Sequence, residues 1–357
     1  MRWEALIPLL GPASAALARY DGLLQTVPNP QVLLAPLTTQ EAVLSSRIEG
    51  TLATASEVFE FEADEARFTG ERRDDIQDVI NYRRALSSAV IQLKSLPLSQ
   101  RILLASHRHL MSGVRGASKA PGEYRRIQNW IGSPGCTEDE ARFVPIAPQL
   151  LEDGMSALEK YIHGEAPDRL VQLAVVHAEF EALHPFLDGN GRLGRMIVPL
   201  FLVEKGLLSS PNFYMSAYFE QDRQAYYDSL LSVSETGDWT MWCRYFLQAI
   251  AAQADENETR ARSILQLYNN MKARIADLTH SQHSIRTLDF IFQFPTFTGP
   301  RFEERSGIPK PTARRILKIL RDEDILQTLR ESSGRTPALL SFVQLLRRAE
   351  GNFDDHP

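Results

Sequence analysis

The sequence predicts a mainly α-helical protein with a small β-hairpin set into its body and a separate domain near its C-terminal end. Apolar residues recur at helical spacing through most of residues 77–247, for example at Val79, Tyr82 and Leu86. Strands do not alternate with helices, so a parallel sheet is not expected. Charge changes late in the chain: residues 301–350 hold eleven Lys/Arg and seven Asp/Glu, although the whole chain has a net charge of −6.

The composition excludes several classes of protein. The chain has 357 residues, of which 43% are hydrophobic and 24% are charged, an ordinary balance for a folded protein. Its two cysteines, Cys136 and Cys243, provide neither a disulfide framework nor a thiolate metal site. The net charge of −6 disfavours a protein that wraps nucleic acid over its whole surface. No apolar run reaches about 18 residues, so we expect no membrane span and a cytoplasmic location.

The first predicted domain is an N-terminal helical region, residues 1–75. Its start is rich in proline, which predicts a loose lead-in with one short helix near residues 14–24. Thr38, followed three residues later by Glu41, fits a capping box. This pattern predicts a helix from Thr38 to about Glu49, and Gly50 is suited to end it.

A second domain is predicted over residues 76–275 and a third over residues 282–350. In the second, helical spacing predicts helices over residues 103–111, 150–162, 170–183 and 239–249. Residues 127–132 and 142–146 are short and rich in β-forming residues, which predicts a hairpin. A charged helix over residues 255–275 is expected to lead to the third domain.

The most informative segment is a run of twelve residues from His184 to Arg195, His-Pro-Phe-Leu-Asp-Gly-Asn-Gly-Arg-Leu-Gly-Arg. Pro185 discourages His184 from continuing the preceding helix, so His184 is expected at a helix end. The turn at residues 188–191 leads into a new amphipathic helix. The backbone N–H groups and the dipole at the start of that helix form an anion site.

The side chains around this anion site suit phosphate chemistry. Arg192 and Arg195 lie three residues apart on one helix face and can fork onto phosphate oxygens. Asp188 is a hard oxygen ligand for a phosphate-bound Mg²⁺. His184 can take up a proton near neutral pH. Together these residues predict phosphoryl or nucleotidyl transfer.

The same run resembles the signature of the Fic family, His-Pro-Phe-x-[Asp/Glu]-Gly-Asn-Gly-Arg-x-x-Arg, at every defined position. The resemblance implies an α-helical fold and transfer of AMP from ATP to a Ser, Thr or Tyr hydroxyl of a target protein and of the enzyme itself. By position, His184 is the general base and Asp188 holds Mg²⁺ or Mn²⁺. The implied nucleotide-binding residues are Gly189, Asn190, Gly191, Arg192, Gly194 and Arg195, with Asn190 near the α-phosphate and the arginines on the outer phosphates.

Two further segments are similar to Fic proteins. Residues 122–132 together with Phe143, Val144 and Pro145 resemble the flap hairpin, which pairs with the target segment by strand addition. Residues 223–230 resemble the adenine-side segment, and Tyr227 is the implied ring contact. Ser234 stands where the family often has Asn.

Ser45, Glu49 and Gly50 fit the inhibitory pattern of the family, Ser/Thr-x-x-x-Glu-Gly/Asn. The resemblance implies that Glu49 pairs with Arg195. Arg195 cannot grip both Glu49 and the γ-phosphate well, so ATP would bind with its α-phosphate misaligned. The N-terminal position of the motif implies a brake that precedes the catalytic core.

The C-terminal segment resembles a winged helix, which is common in Fic proteins. Ala313, Ile316, Leu317 and Leu320 form one apolar stripe, and a two-stranded wing is expected from residues 326–329 and 338–343. The resemblance suggests DNA contact by Arg314, Arg315 and Lys318. A protein-docking or dimerising module with a solvated basic face is the alternative.

Other activities stay open at this point. Fic proteins also include Doc-like phosphotransferases, but those carry Lys where this chain has Gly191. Hydrolytic removal of AMP, with Glu49 orienting a water, would use the same residues. A different class is a nucleotide-sensing, DNA-binding regulator. Family members often form homodimers, and the implied partners are ATP, a target protein, a second copy and DNA, but not a membrane.

Overall fold

The computed structural model describes residues 1–113, 116–133, 135–334 and 336–351, and it confirms the mainly α-helical class. The helices of this part of the chain are α1 (Ile7–Thr26), α2 (Pro30–Leu33), α3 (Ala35–Ile48), α4 (Ala55–Ala63), α5 (Gly70–Leu93), α6 (Gln100–Leu110), α7 (Leu151–His163), α8 (Arg169–Leu183), α9 (Asn190–Glu204), α10 (Ser216–Gln221), α11 (Arg223–Thr236), α12 (Trp239–Thr279), α13 (Ser284–Gln293), α14 (Gly299–Arg305), α15 (Lys310–Asp322) and α16 (Val343–Glu350). The strands are β1 (Thr296–Thr298), β2 (Gln327–Arg330) and β3 (Leu339–Ser341).

The residues pack into two compact units, each assembled from three segments of the chain. The first unit contains Met1–Asp21, Leu44–Thr51 and Ile80–Glu256. The second contains Gly22–Val43, Leu52–Val79 and the chain from Asn257 onward. The three predicted domains are consecutive in sequence, whereas each packing unit joins segments that are far apart in sequence.

The core of the first unit is built around α8 and α9, which pack on each other. The Asp168 side chain caps the start of α8 by accepting hydrogen bonds from the backbone N–H groups of Leu170 and Val171, at 2.8 and 2.9 Å. Helix α9 is apolar on nearly all sides and is buried along most of its length. Cys243 is fully buried in this unit.

The second unit contains a three-stranded antiparallel sheet with the strand order β1-β3-β2. The predicted apolar stripe of α15 is buried as expected, because Ala313, Ile316, Leu317 and Leu320 all face the interior. Strands β2 and β3 form the predicted two-stranded wing, after α13, β1, α14 and α15. The assignment of this segment as a winged helix stays a prediction. Helix α4 packs against β1 in the same unit.

The N-terminal segment differs from the prediction. Helix α1 already begins at Ile7, because a proline within the first turn of a helix sacrifices no hydrogen bond, and it tolerates Pro12 in its interior. Thr38 is not a helix cap, since α3 begins at Ala35. The Thr38 N–H and hydroxyl both donate to the Leu34 carbonyl, at 3.1 and 3.3 Å.

Two other elements also differ. The predicted helices over residues 239–249 and 255–275 are one continuous helix, α12. In the part of residues 127–146 that the structure describes, the predicted hairpin is represented by one antiparallel bridge, between Ile131 and Phe143. Pro145 has no N–H to donate, and its carbonyl accepts from the Gln128 side chain at 2.9 Å instead of from a ladder partner.

The length and apolarity of the helices show whether any of them could span a membrane. None of the helices in the described ranges is both long enough and apolar enough to cross a bilayer.

Candidate active site

The loop between α8 and α9 is fixed by its own side chains. His184 ends α8 in the left-handed region, at φ 45°, and Gly189 precedes α9 at φ 79°. The Asn190 amide closes the loop, because Oδ1 accepts from the Phe186 N–H at 2.9 Å and Nδ2 donates to the Phe186 carbonyl at 2.8 Å. The Asn190 side chain therefore closes the loop, and the expectation that Asn190 lies near an α-phosphate stays a prediction.

His184 is held as a neutral base. Its Nδ1 donates to the Glu181 carbonyl at 3.3 Å, and a carbonyl only accepts, so the proton lies on Nδ1 and the lone pair lies on Nε2. Burial lowers the pKa of His184 to about 4. At neutral pH the imidazole is therefore ready to take a proton.

Arg125 is a functional residue whose role the sequence did not reveal. Its guanidinium is buried and donates to four backbone carbonyls, those of His184 (2.9 Å), Leu183 (3.4 Å), Ile127 (3.4 Å) and Ile146. Its own N–H donates to the Pro185 carbonyl at 2.9 Å. Arg125 thus joins the flap segment to the turn that carries His184 and helps to fix the position of that turn.

We expect the substitution Arg125→Met to destabilise the fold measurably. It leaves several buried carbonyls without donors, and each such group costs about 1–3 kcal/mol. Urea unfolding of the full chain measures the change in the free energy of unfolding. The control is Arg126→Met, since the Arg126 side chain is 86% exposed and should shift stability by less than about 0.5 kcal/mol. Equal effects of the two substitutions would contradict this role of Arg125.

His107 is a second residue that sequence reasoning missed. Its ring stacks on Phe186, with centroids 3.8 Å apart. Nδ1 accepts from the Gly122 N–H at 2.8 Å, so Nε2 carries the proton and donates to the Asp188 carbonyl at 3.0 Å. Burial lowers the pKa of His107 to about 4, and the ring therefore stays neutral. His107 fixes the turn just before α9.

The first turn of α9 combines an anion site with one carboxylate. The Asp188 side chain is 45% exposed, accepts from the Gly189 N–H and lies 3.6 Å from the Arg192 guanidinium. The described residues contain no group of three or more His, Cys, Asp or Glu side chains that could hold a metal alone. This donor set fits Mg²⁺, which commonly uses one or two carboxylates together with substrate phosphates and waters.

Arg195 is buried, and its guanidinium binds Ser45 and Glu49. Its Nε donates to the Ser45 hydroxyl at 2.9 Å, and its terminal nitrogen donates to the Ser45 carbonyl at 2.8 Å and to Glu49 Oε1 at 2.7 Å. Burial alone would lower the pKa of Arg195, but the Glu49 carboxylate raises it. Burial would likewise raise the pKa of Glu49, and Arg195 lowers it. Both groups are therefore charged at neutral pH.

Glu49 follows the last residue of α3, and its carboxylate lies at the N-terminal end of α9. Gly50, at φ 96°, ends α3 as predicted: its N–H donates to the Arg47 carbonyl, and the Thr51 N–H donates to the Ser46 carbonyl. The Glu49 carboxylate lies against Gly191, where any Cβ would collide with Oε1. Glu49 thus occupies the positive end of α9, where phosphate is expected to bind.

A cavity of about 470 Å³ lies between the flap and α11 and extends to α8. It is lined on one side by the flap residues Ile131, Gly132 and Phe143, and on the other by Tyr227 and Leu231 of α11. The two walls are joined by an ion pair between Arg142 and Asp228. The lining also includes Ser234 and three residues of α8, Ala178, Glu181 and Ala182.

The structure distinguishes the two adjacent tyrosines and describes the flap. Tyr226 is buried and its hydroxyl lies 2.8 Å from His177 Nε2, so it packs in the core. Tyr227 faces the cavity. In the flap, Phe143 lines the cavity, Val144 is 42% exposed and Pro145 is buried.

The basic residues of the C-terminal segment make contacts within the second unit. Arg314 forms an ion pair with Glu303 at 2.7 Å. Both terminal nitrogens of Arg315 donate to the Thr279 carbonyl at 3.1 Å, at the end of α12. Two of the three suggested DNA-contacting side chains therefore have partners within the protein although both are exposed, and DNA contact stays a prediction.

Family comparisons agree with these local features. The model of the Fic/DOC family N-terminal region matches residues 7–91, and the Fic/DOC family model matches residues 97–202. A probable protein adenylyltransferase of Aquifex aeolicus is 28% identical over 200 residues, covering 53% of this chain and 56% of that protein. A protein adenylyltransferase of Caenorhabditis briggsae is 23% identical, covering 45% of this chain and 29% of that protein. The chain thus spans about half or less of these curated relatives.

Solved structures share the fold. A Fic family protein from Desulfovibrio desulfuricans superimposes with a TM-score of 0.59 at 21% identity, covering 95% of both chains. Residues 134–508 of Fic-1 from Caenorhabditis elegans superimpose with a TM-score of 0.54 at 18% identity, covering 72% of both chains. These likenesses establish a Fic-type fold.

Proposed function

Because this chain belongs to the Fic/DOC family, we propose that it is a protein adenylyltransferase, which transfers AMP from ATP to a Ser, Thr or Tyr hydroxyl of a target protein and of itself. The observation that carries the proposal is the neutral His184 base beside the anion site of α9. The names of the curated relatives support the same reaction class.

In the proposed reaction, His184 Nε2 removes the proton of the target hydroxyl. The hydroxyl oxygen attacks the α-phosphorus of ATP, the bond to the β-phosphate breaks, and pyrophosphate leaves. The Arg192 side chain and the N-terminal turn of α9 hold the phosphates in place. Asp188 would hold Mg²⁺, which when bound neutralises phosphate charge.

We further propose that Glu49 inhibits this reaction by competition. The carboxylate occupies the anion site at Gly191 and engages the guanidinium of Arg195. A γ-phosphate needs both the anion site at Gly191 and the guanidinium of Arg195. ATP would therefore bind in a shifted pose while the Glu49 carboxylate occupies them. A displacement of about 1 Å at the reacting centre can lower the rate about a hundredfold.

The pKa of His184 predicts an unusual pH profile. The imidazole acts as a base only when neutral, and burial lowers its pKa to about 4. We therefore expect kcat at saturating ATP, where loss of nucleotide affinity does not limit the rate, to stay level as the pH is lowered through about 6.5, the ordinary histidine pKa, and to fall only near the lower value. Initial rates of a Glu49→Gly variant, with circular dichroism at each pH to confirm folding, measure this. An acid limb near about 6.5 would contradict the neutral, buried base.

The proposed reaction has a direct chemical readout. Full-length protein incubated with ATP and Mg²⁺ should gain the mass of one AMP on a Ser, Thr or Tyr residue, which intact mass and peptide fragmentation detect. A gain of one phosphate instead would favour the phosphotransferase reaction.

A further inference from the structure

The side chain of Glu181 is left without an assigned role by the reaction above. It belongs to α8 and lies one turn before His184. Its Oε1 is buried and has no hydrogen-bond partner among the described residues. Burial raises the pKa of Glu181 to about 7, so the carboxylate form is available at neutral and higher pH. A buried carboxyl oxygen without a donor is costly, so a ligand hydroxyl that donates to this carboxyl group would be favoured.

Gly194 creates the space for this carboxyl group. A Cβ at residue 194 would collide with Glu181 Oε1 and would also contact the Phe180 ring at 3.2 Å. Gly194 lies in the second turn of α9, immediately before Arg195. The Glu181 carboxyl group therefore lies against the second turn of α9, about one turn from the helix end where phosphate is expected, and Glu181 also lines the cavity between the flap and α11.

These two neighbourhoods correspond to the two ends of a nucleotide. The slot between Phe143 on one side and Tyr227 and Leu231 on the other suits a flat base. The phosphates are expected at the start of α9. Ribose connects the base to the phosphates. With the base in the slot and the phosphates at the start of α9, the ribose hydroxyl groups are expected near Glu181.

We propose that Glu181 is a specificity-determining residue, whose carboxylate accepts a hydrogen bond from a ribose hydroxyl and selects ribonucleoside over deoxyribonucleoside triphosphates. This inference rests on the proposed function only in requiring that the site binds a nucleoside triphosphate. Carboxylates bind ribose hydroxyls in the same way in dinucleotide-binding folds. A hydrogen bond to a charged group predicts a preference of about tenfold or more.

Binding measurements test the proposal. Isothermal titration of the full chain with ATP, 2′-deoxy-ATP or 3′-deoxy-ATP, each with Mg²⁺ at pH 8, gives three dissociation constants. We expect ATP to bind about tenfold or more tightly than at least one deoxy analogue. Glu181→Ala should bind all three equally, with an unchanged affinity for the disfavoured analogue. Glu181→Gln keeps a carbonyl acceptor and should retain part of the preference.

The matched control is Glu179→Ala, because Glu179 lies on the same helix but does not line the cavity. This variant should keep the full preference. Equal binding of the three nucleotides by the unmodified chain would overturn the proposal. A Glu181→Ala variant that weakens all three by the same factor would also overturn it, because that result indicates a purely structural role.

The outcome separates this inference from the proposed function. A chain that discriminates against the deoxy analogues but transfers no AMP refutes the proposed function and keeps the ribose contact. A chain that transfers AMP without discriminating refutes the ribose contact alone. A chain that binds none of the three nucleotides refutes both.

Discussion

Replacing Glu49 with glycine should raise AMP transfer about a hundredfold, because the substitution empties the anion site and frees Arg195. In the present arrangement Arg195 has Glu49 Oε1 at 2.7 Å and two contacts to Ser45. Without the carboxylate, the γ-phosphate becomes the ligand that satisfies both Arg195 and the helix end at Gly191. The measurement is the initial rate of label incorporation from ATP labelled at the α-phosphate.

Two further variants grade this effect. Glu49→Gln keeps the size of the side chain and removes its charge, so it should activate less than Glu49→Gly. Ser45→Ala removes one acceptor of Arg195 and leaves the ion pair, so it should activate least. Glycine is not expected to unfold the site, because Glu49 lies just beyond the last residue of α3. Equal activity of Glu49→Gly and the unmodified chain would refute the brake.

Replacing His184 with alanine should lower AMP transfer about 10²- to 10⁴-fold, the typical loss when a general base is removed. The affinity for ATP should change little, because the phosphate site is formed by α9 and its arginines rather than by His184. Comparing the transfer rate with the dissociation constant of ATP in the Glu49→Gly background separates these two effects.

His109→Ala is the matched control for this prediction. His109 lies on α6 and is exposed, so its removal should leave transfer and binding unchanged. Transfer that survives in His184→Ala would show that another group removes the proton of the target hydroxyl, and the mechanism would be wrong.

Local features of the fold and site were predictable from the sequence because neighbouring residues determine them. Pro185 ends α8 at His184, and Gly189 with Asn190 starts α9. Gly50 ends α3, since its positive φ is favourable only without a side chain. Arg195 and Glu49 are 146 residues apart, and only the family resemblance indicated that they meet.

The remaining features depend on contacts that no local pattern encodes. Arg125, His107 and Glu181 gain their roles from backbone groups or space supplied by distant segments. Thr38 fits a capping pattern, but a helix that already begins at Ala35 provides its N–H with a carbonyl partner. The flap residues have strand propensity. Next to the bridge between Ile131 and Phe143, however, the Pro145 carbonyl accepts from the Gln128 side chain rather than from a backbone N–H of a partner strand.

Transfer of label from ATP tests the central claim most directly. The unmodified chain, Glu49→Gly and His184→Ala are each incubated with Mg²⁺ and ATP labelled at either the α- or the γ-phosphate, and protein-bound label is counted. The account predicts label from α-labelled ATP alone, strongly increased in Glu49→Gly and lost in His184→Ala. Label retained from γ-labelled ATP, or no label in Glu49→Gly from either nucleotide, would contradict it.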